Sequence, residues 1–101
     1  MIARLWHGIT SAEKAPAYIQ YMNRTGVADL RSTEGNRGVY MLHRIEGAQA
    51  HFLMLSLWES EEHIRLFAGE DIGRARYYPE DSNYLIELEP TVTHFQVDVK
   101  V

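Results

Sequence analysis

Gly38-Val39-Tyr40-Met41-Leu42-His43-Arg44-Ile45, then Glu46-Gly47-Ala48-Gln49, then Ala50-His51-Phe52-Leu53-Met54-Leu55-Ser56-Leu57-Trp58 is the stretch that decides the fold. Both flanking runs are rich in β-branched, aromatic and long apolar residues, and the short connection contains a glycine, so together they signal a β-hairpin. A turn centred on Gly47-Ala48 sets Arg44 opposite His51, Leu42 opposite Leu53 and Tyr40 opposite Leu55 on one face. On the other face His43 meets Phe52, Met41 meets Met54 and Val39 meets Ser56. Both faces are therefore largely apolar, whereas an antiparallel sheet with one wet face alternates apolar with polar residues. One face is expected to lie under the chain's own helices. The other needs an external cover, and the economical one is a second copy packed sheet to sheet in a closed two-fold homodimer.

Toward the N-terminus, Ile2 to Ile9 reads as a strand, followed by the capping-box pattern Thr10-Ser11-Ala12-Glu13 and a helix with Ala15, Tyr18, Ile19 and Met22 on one stripe. Pro16 is comfortable only in a first helical turn, which moves the regular helix toward Ala15 and leaves Thr10–Glu13 as a preceding turn. Gly26 is expected to stop that helix, and the polar stretch Asp29 to Arg37 to form a loop. Beyond the hairpin, Ser60 caps a helix carrying Ile64, Phe67 and Ala68, with Gly69 as its stop. Helical spacing resumes over Asp71 to Tyr77. Tyr78-Pro79-Glu80-Asp81 then breaks it and opens a short turn or helix through Tyr84 to Ile86. A last strand, about Pro90 to Val99, alternates Val92, His94, Gln96 and Asp98 against Thr93, Phe95, Val97 and Val99. The order β-α-β-β-α-β defines an α+β, ferredoxin-like arrangement on an antiparallel sheet, in one domain spanning residues 1–101.

The composition narrows the function classes. There are 101 residues, 46% hydrophobic, with no Cys, and 10 Lys+Arg against 14 Asp+Glu give a formal charge of −4. An acidic chain offers no field for phosphates, so neither nucleic acid nor an anionic membrane surface is an expected partner. No apolar run approaches the roughly 18 residues of a membrane span. Without Cys there are no disulfides, thiolate nucleophiles or Cys-ligated metals, and the chain is expected to be cytoplasmic. No serine sits in a Gly-x-Ser-x-Gly elbow and no glycine-rich phosphate loop is present, which argues against hydrolases and nucleotide enzymes. The five His show neither His-x-His nor His-x₃-His spacing, so no metal site is expected.

The chain resembles the antibiotic biosynthesis monooxygenase family of dimeric α/β barrels. The likeness rests on Met1-Ile2-Ala3-Arg4-Leu5-Trp6, the Thr10 to Glu13 helix start, Gly35-Asn36-Arg37-Gly38 before the second strand, and Leu57-Trp58-Glu59-Ser60 at the end of the third. It implies cofactor-independent oxygenation of polycyclic aromatic compounds in some members, haem degradation in others, and no established activity in many. The haem-degrading branch uses an Asn on the first strand, a Trp nine residues after the strand-end Trp, and a His ten residues further on. Aligned on Trp58, those places hold His7, Phe67 and Tyr77, so all three residues differ.

His7, on an otherwise apolar strand, is the candidate general base: an imidazole can take a proton from a phenol or anthrone and leave an anion that reacts with oxygen. The alternative is a hydrogen-bonded packing residue. Tyr77 is the candidate hydrogen-bond donor. Tyr78 and Arg76 beside it suit a substrate site, where Arg stabilises an enolate or carboxylate, or equally the rim of a dimer. Phe67, Trp58 and Met22 complete the expected substrate-binding set, each with a core-packing alternative. The function read from these residues is a small cofactor-independent monooxygenase, with a non-catalytic dimeric binding or assembly domain as the alternative.

Overall fold

A computed structural model describes the whole chain, Met1–Val101. Its elements are β1 (Ile2–Ser11), α1 (Ala15–Arg24), α2 (Gly26–Ser32), β2 (Asn36–Glu46), β3 (Gln49–Trp58), α3 (Glu61–Ala68) and β4 (Thr93–Gln96), with 3₁₀ turns at Ala12–Lys14 and Asp81–Asn83. The four strands form one sheet in the order β2-β3-β1-β4, every neighbouring pair antiparallel. β3 is thus inserted between the two strands joined by the first helical crossover, which is the ferredoxin-like order. The hairpin has the register expected from its turn, with Arg44 opposite His51, Leu42 opposite Leu53 and Met41 opposite Met54. β1 pairs with β3 along its whole length, from Ile2 against Trp58 to Ser11 against Gln49. Between Asn36 and Gly38 the β2 register shifts around Arg37, and Gly38 adopts φ 152° while its N–H donates to the Asn36 Oδ1.

The alternation of the strands gives the sheet two distinct faces. Ala50, Phe52, Met54, Ser56 and Trp58 of β3 turn toward the helices and are buried with Tyr18, Tyr21 and Met22 of α1, Leu30 of α2, and Ile64 and Phe67 of α3. Arg4, Trp6 and Thr10 of β1 share that face. Opposite lie Leu5, His7, Ile9, Leu53, Leu55, Tyr40, Leu42 and Phe95, and no helix covers them. Tyr40, Leu42 and Phe95 are 53%, 45% and 54% exposed.

Pro16 falls in the first turn of α1, but the preceding turn is the 3₁₀ turn Ala12–Lys14 instead of Thr10–Glu13: Thr10 and Ser11 continue β1 in pairing with β3, and Ser11 makes no side-chain cap. Three other segments differ from the sequence reading. Gly26 does not end the helical region: the chain breaks at Thr25, whose hydroxyl donates to the Tyr21 carbonyl, and Gly26 opens α2, because Leu30 is drawn into the core. The connecting loop therefore begins only after Ser32. Asp71 to Tyr77 is not helical; its backbone is tied across to the last segment, with Ala75 N–H donating to Pro90 O and Val92 N–H to Gly73 O. Long-range partners outcompete local helix here, as Gly73 and the distant strand together favour. Finally, the β4 ladder is limited to Thr93–Gln96 against Ile2–Leu5, because β1 itself begins at Ile2.

Candidate functional site

One cavity opens between the sheet and the helical layer. Arg4 and Trp6 from β1, Met54 and Ser56 from β3, Tyr18 and Met22 from α1, Gly26 and Leu30 from α2, and Phe67 from α3 form its walls, and Arg76, Tyr77, Tyr78 and Asp81 close it from the segment after α3. Its volume is about 60 Å³. The expected residues Met22, Phe67, Arg76, Tyr77 and Tyr78 are thus brought together. Two others are placed elsewhere.

His7 lies on the open face of the sheet, because it is one step out of phase with Trp6 on β1. Its Nδ1 is 2.7 Å from Glu89 Oε2, and its Nε2 is 3.3 Å from His51 Nδ1. With His51, Leu42 and Leu53 it borders a broad, open depression of about 380 Å³. The sheet separates this imidazole from the cavity, so His7 cannot take a proton from a ligand held beside Tyr77. Trp58 is also outside the cavity: it is fully buried behind Phe67, with ring centroids 6.2 Å apart, and its indole N–H donates to Ser56 Oγ at 2.9 Å. A ring with both its surface and its donor satisfied internally serves the core.

The cavity's polar groups are held in two chains. Trp6 Nε1 donates to the Tyr77 hydroxyl at 3.2 Å, and that hydroxyl donates to the Glu89 carbonyl at 2.6 Å. Tyr78 donates through its hydroxyl to Asp29 Oδ2 at 2.6 Å, and Arg76 reaches the same carboxylate oxygen at 3.4 Å while donating to the Phe67 carbonyl. Burial raises the proton affinity of both phenols, and the Asp29 carboxylate adds to this at Tyr78. Asp81 accepts from the Tyr18 hydroxyl at 3.2 Å and from the Tyr78 N–H at 2.6 Å; burial still holds its carboxyl above its ordinary value, against the opposing pull of those bonds.

Arg4 is the residue that pattern reading overlooked. It is 4% exposed, and its guanidinium donates to the carbonyls of Ile72 (2.5 Å) and Arg74 (3.0 Å), with His94 Nε2 at 3.2 Å. Desolvation lowers it to about 10. The strand pattern alone gives no signal of this: Arg4 shares its parity with Trp6, Gly8 and Thr10, and three of these four are buried because the helices cover that face. A charge on the inward side of a strand is the exception to look for. Asp81 was missed as well: it carries no spacing signal, and only the folded chain sets it against Tyr18 and Tyr78.

The strand order, the helices on one face and the bare second face together define a ferredoxin-like α+β domain of the type found in the antibiotic biosynthesis monooxygenases. Solved structures of that fold match the chain end to end. The haem-degrading protein MhuD of Mycobacterium tuberculosis, solved with two haems in its active site, is 18% identical, with 100% of this chain and 99% of that one covered and a TM-score of 0.65. A Bacillus cereus protein provisionally assigned as an antibiotic biosynthesis monooxygenase is 11% identical over 99% of this chain and 97% of that one, with a TM-score of 0.67. MhuD without haem gives 16% identity, 100% and 99% coverage and a TM-score of 0.59. No protein-family model and no curated protein matches the chain. At such identities the likeness establishes the fold and leaves the reaction to the site.

Proposed function

We propose that the chain is a cytoplasmic, cofactor-independent monooxygenase of the antibiotic biosynthesis type, acting on a small hydrophobic aromatic or quinone-like compound bound between Trp6, Phe67, Tyr77 and Tyr78, in a homodimer closed through the open sheet faces. The observation that carries this reading is an aromatic-walled cavity that also contains a buried carboxyl of raised proton affinity, Asp81, and two guanidinium groups. An anthrone-like substrate gives a proton to Asp81, and Arg4 and Arg76 stabilise the resulting anion. Oxygen adds to the anionic carbon. Loss of water then leaves a carbonyl, so that a methylene and one O₂ become a ketone and one H₂O with no external reductant. Asp81 takes the role that the sequence suggested for His7.

Haem does not fit this site. The Tyr77 oxygen that would face iron is already engaged by Trp6 and Glu89, and a cavity of about 60 Å³ would have to open much further for a macrocycle than for a small aromatic compound. A single aromatic ring also requires some opening, since about 150 Å³ takes up benzene. The rim that must swing is Arg76 with Tyr78, on the irregular segment after α3.

Oxygen uptake with an anthrone and hydroquinone panel tests the proposal. Uptake by the parent, lowered about 100-fold or more in Asp81→Asn, is the expected result; loss of comparable size in His7→Ala instead would move the chemistry to the open face. No uptake with any compound would leave the second reading, a non-catalytic dimeric small-molecule-binding or assembly domain. The engaged Tyr77 proton and the absence of an imidazole from the cavity favour that alternative.

A further inference from the structure

We infer that the cavity selects acids: its ligand carries a carboxylate, or an equivalent monoanionic group, on the aromatic framework, and Arg4 is the residue that recognises it. This rests on the aromatic ligand of the preceding reading and adds its charge. The starting point is an imbalance. Arg4 is the most deeply buried cation of the chain, yet its partners are two backbone carbonyls and one imidazole nitrogen, and no carboxylate lies within ion-pair distance of it. Carbonyl dipoles orient a guanidinium and satisfy its donors, but they do not neutralise it. An unpaired cation out of water is costly, and proteins normally pair it or place it where a ligand will.

Where the charge sits makes the second explanation specific. The Arg4 guanidinium is 5.8 Å from the centre of the Phe67 ring, and the Arg76 guanidinium is 4.8 Å from that same ring. Two cations thus flank one aromatic ring in a cavity bounded by Trp6 and Tyr78. They differ in compensation and depth. Arg76 stands at the rim and already shares Asp29, whereas Arg4 lies at depth with nothing anionic. Asp81, the carboxyl in the same wall, accepts from Tyr18 and Tyr78 and forms no ion pair with Arg4. A ligand with a ring near Phe67 and an anionic group toward Arg4 would supply the missing charge, and a guanidinium fork is suited to a carboxylate.

A purely structural Arg4 would pin the Ile72–Arg74 backbone to β1 and have no effect on ligand charge. Calorimetric titration of benzoate, salicylate and 1-hydroxy-2-naphthoate, each beside its primary amide, separates the two. Tighter binding of each acid than of its amide by the parent, tenfold or more, is expected, with that preference falling to about unity in Arg4→Gln and persisting in part in Arg4→Lys. Equal affinity for acids and amides in the parent overturns the inference and leaves the aromatic site standing. That comparison needs no variant, so it decides even if Arg4→Gln does not fold. An acid preference undiminished in a folded Arg4→Gln also overturns it. If no aromatic probe binds, both the inference and the aromatic-ligand reading fail.

Discussion

A single step along β1 separates two chemistries. Trp6 and Arg4 enter the cavity, while His7 joins Glu89 and His51 on the far side of the sheet, because successive side chains of a strand point to opposite faces. The imidazole was conspicuous in the sequence for its type; the arginine three residues before it acquires its place only from the fold. Asp81 is the residue whose environment can be followed by pH. Its carboxyl is raised above the ordinary value of 3.8, chiefly by burial, so the fold binds its proton more tightly than the unfolded chain does. Its contribution is most favourable below the unfolded value and is lost as pH rises through the folded one. Urea midpoints measured from pH 4 to 7 should therefore show Asp81→Asn gaining on the parent as pH increases. A difference that stays constant over that range contradicts the assignment.

At the scale of elements, caps and breakers were legible where the partner is local. Ser60 accepts from the His63 N–H at the start of α3, and Gly69 ends that helix, both as the sequence indicates. Pro16 set the beginning of α1 for the same reason. Misreadings occurred where a distant contact decided the local state: Leu30 recruited Gly26–Ser32 into a helix, and the last segment drew Asp71 to Tyr77 out of one. The turn before β2 is also fixed tertiarily. Gly35 has φ 85°, and a Cβ there would approach His63 Cγ to 2.1 Å, while Ser60 holds that imidazole from its other side. Gly35→Ala combines positive-φ strain with overpacking and should lose about 2–4 kcal/mol in urea denaturation. A loss under about 0.5 kcal/mol would mean that the turn and His63 are free to move.

For the whole molecule, the decisive feature is the uncovered sheet face. Leu5, Ile9, Leu53 and Leu55 lie there with exposed Tyr40, Leu42 and Phe95, and the chain has no further helix to place over them. Apolar surface of this extent on a small domain marks an interface. The proposed homodimer has twice the chain mass, 2 × 11.7 = 23.4 kDa. Light scattering at micromolar concentration should report that mass for the parent and the single-chain mass for Leu42→Asp, which sets a charge on the exposed apolar part of that face. A parent monomer under those conditions would remove the dimer from the proposal.

The sequence by itself determined the order of the strands, the helices α1 and α3, the hairpin register and the two-faced character of the sheet. These follow from residue periodicity, a glycine-bearing turn and side-chain caps, all of which act over a few residues. Tertiary structure alone decided which face holds the cavity, that His7 and Trp58 stand outside it, and that Arg4 and Asp81 stand within it. Those outcomes depend on which side of the sheet the helices cover, and on a segment some seventy residues beyond Arg4 folding back to give it carbonyl partners at Ile72 and Arg74. Hydrogen bonding across that distance leaves no pattern in a linear chain.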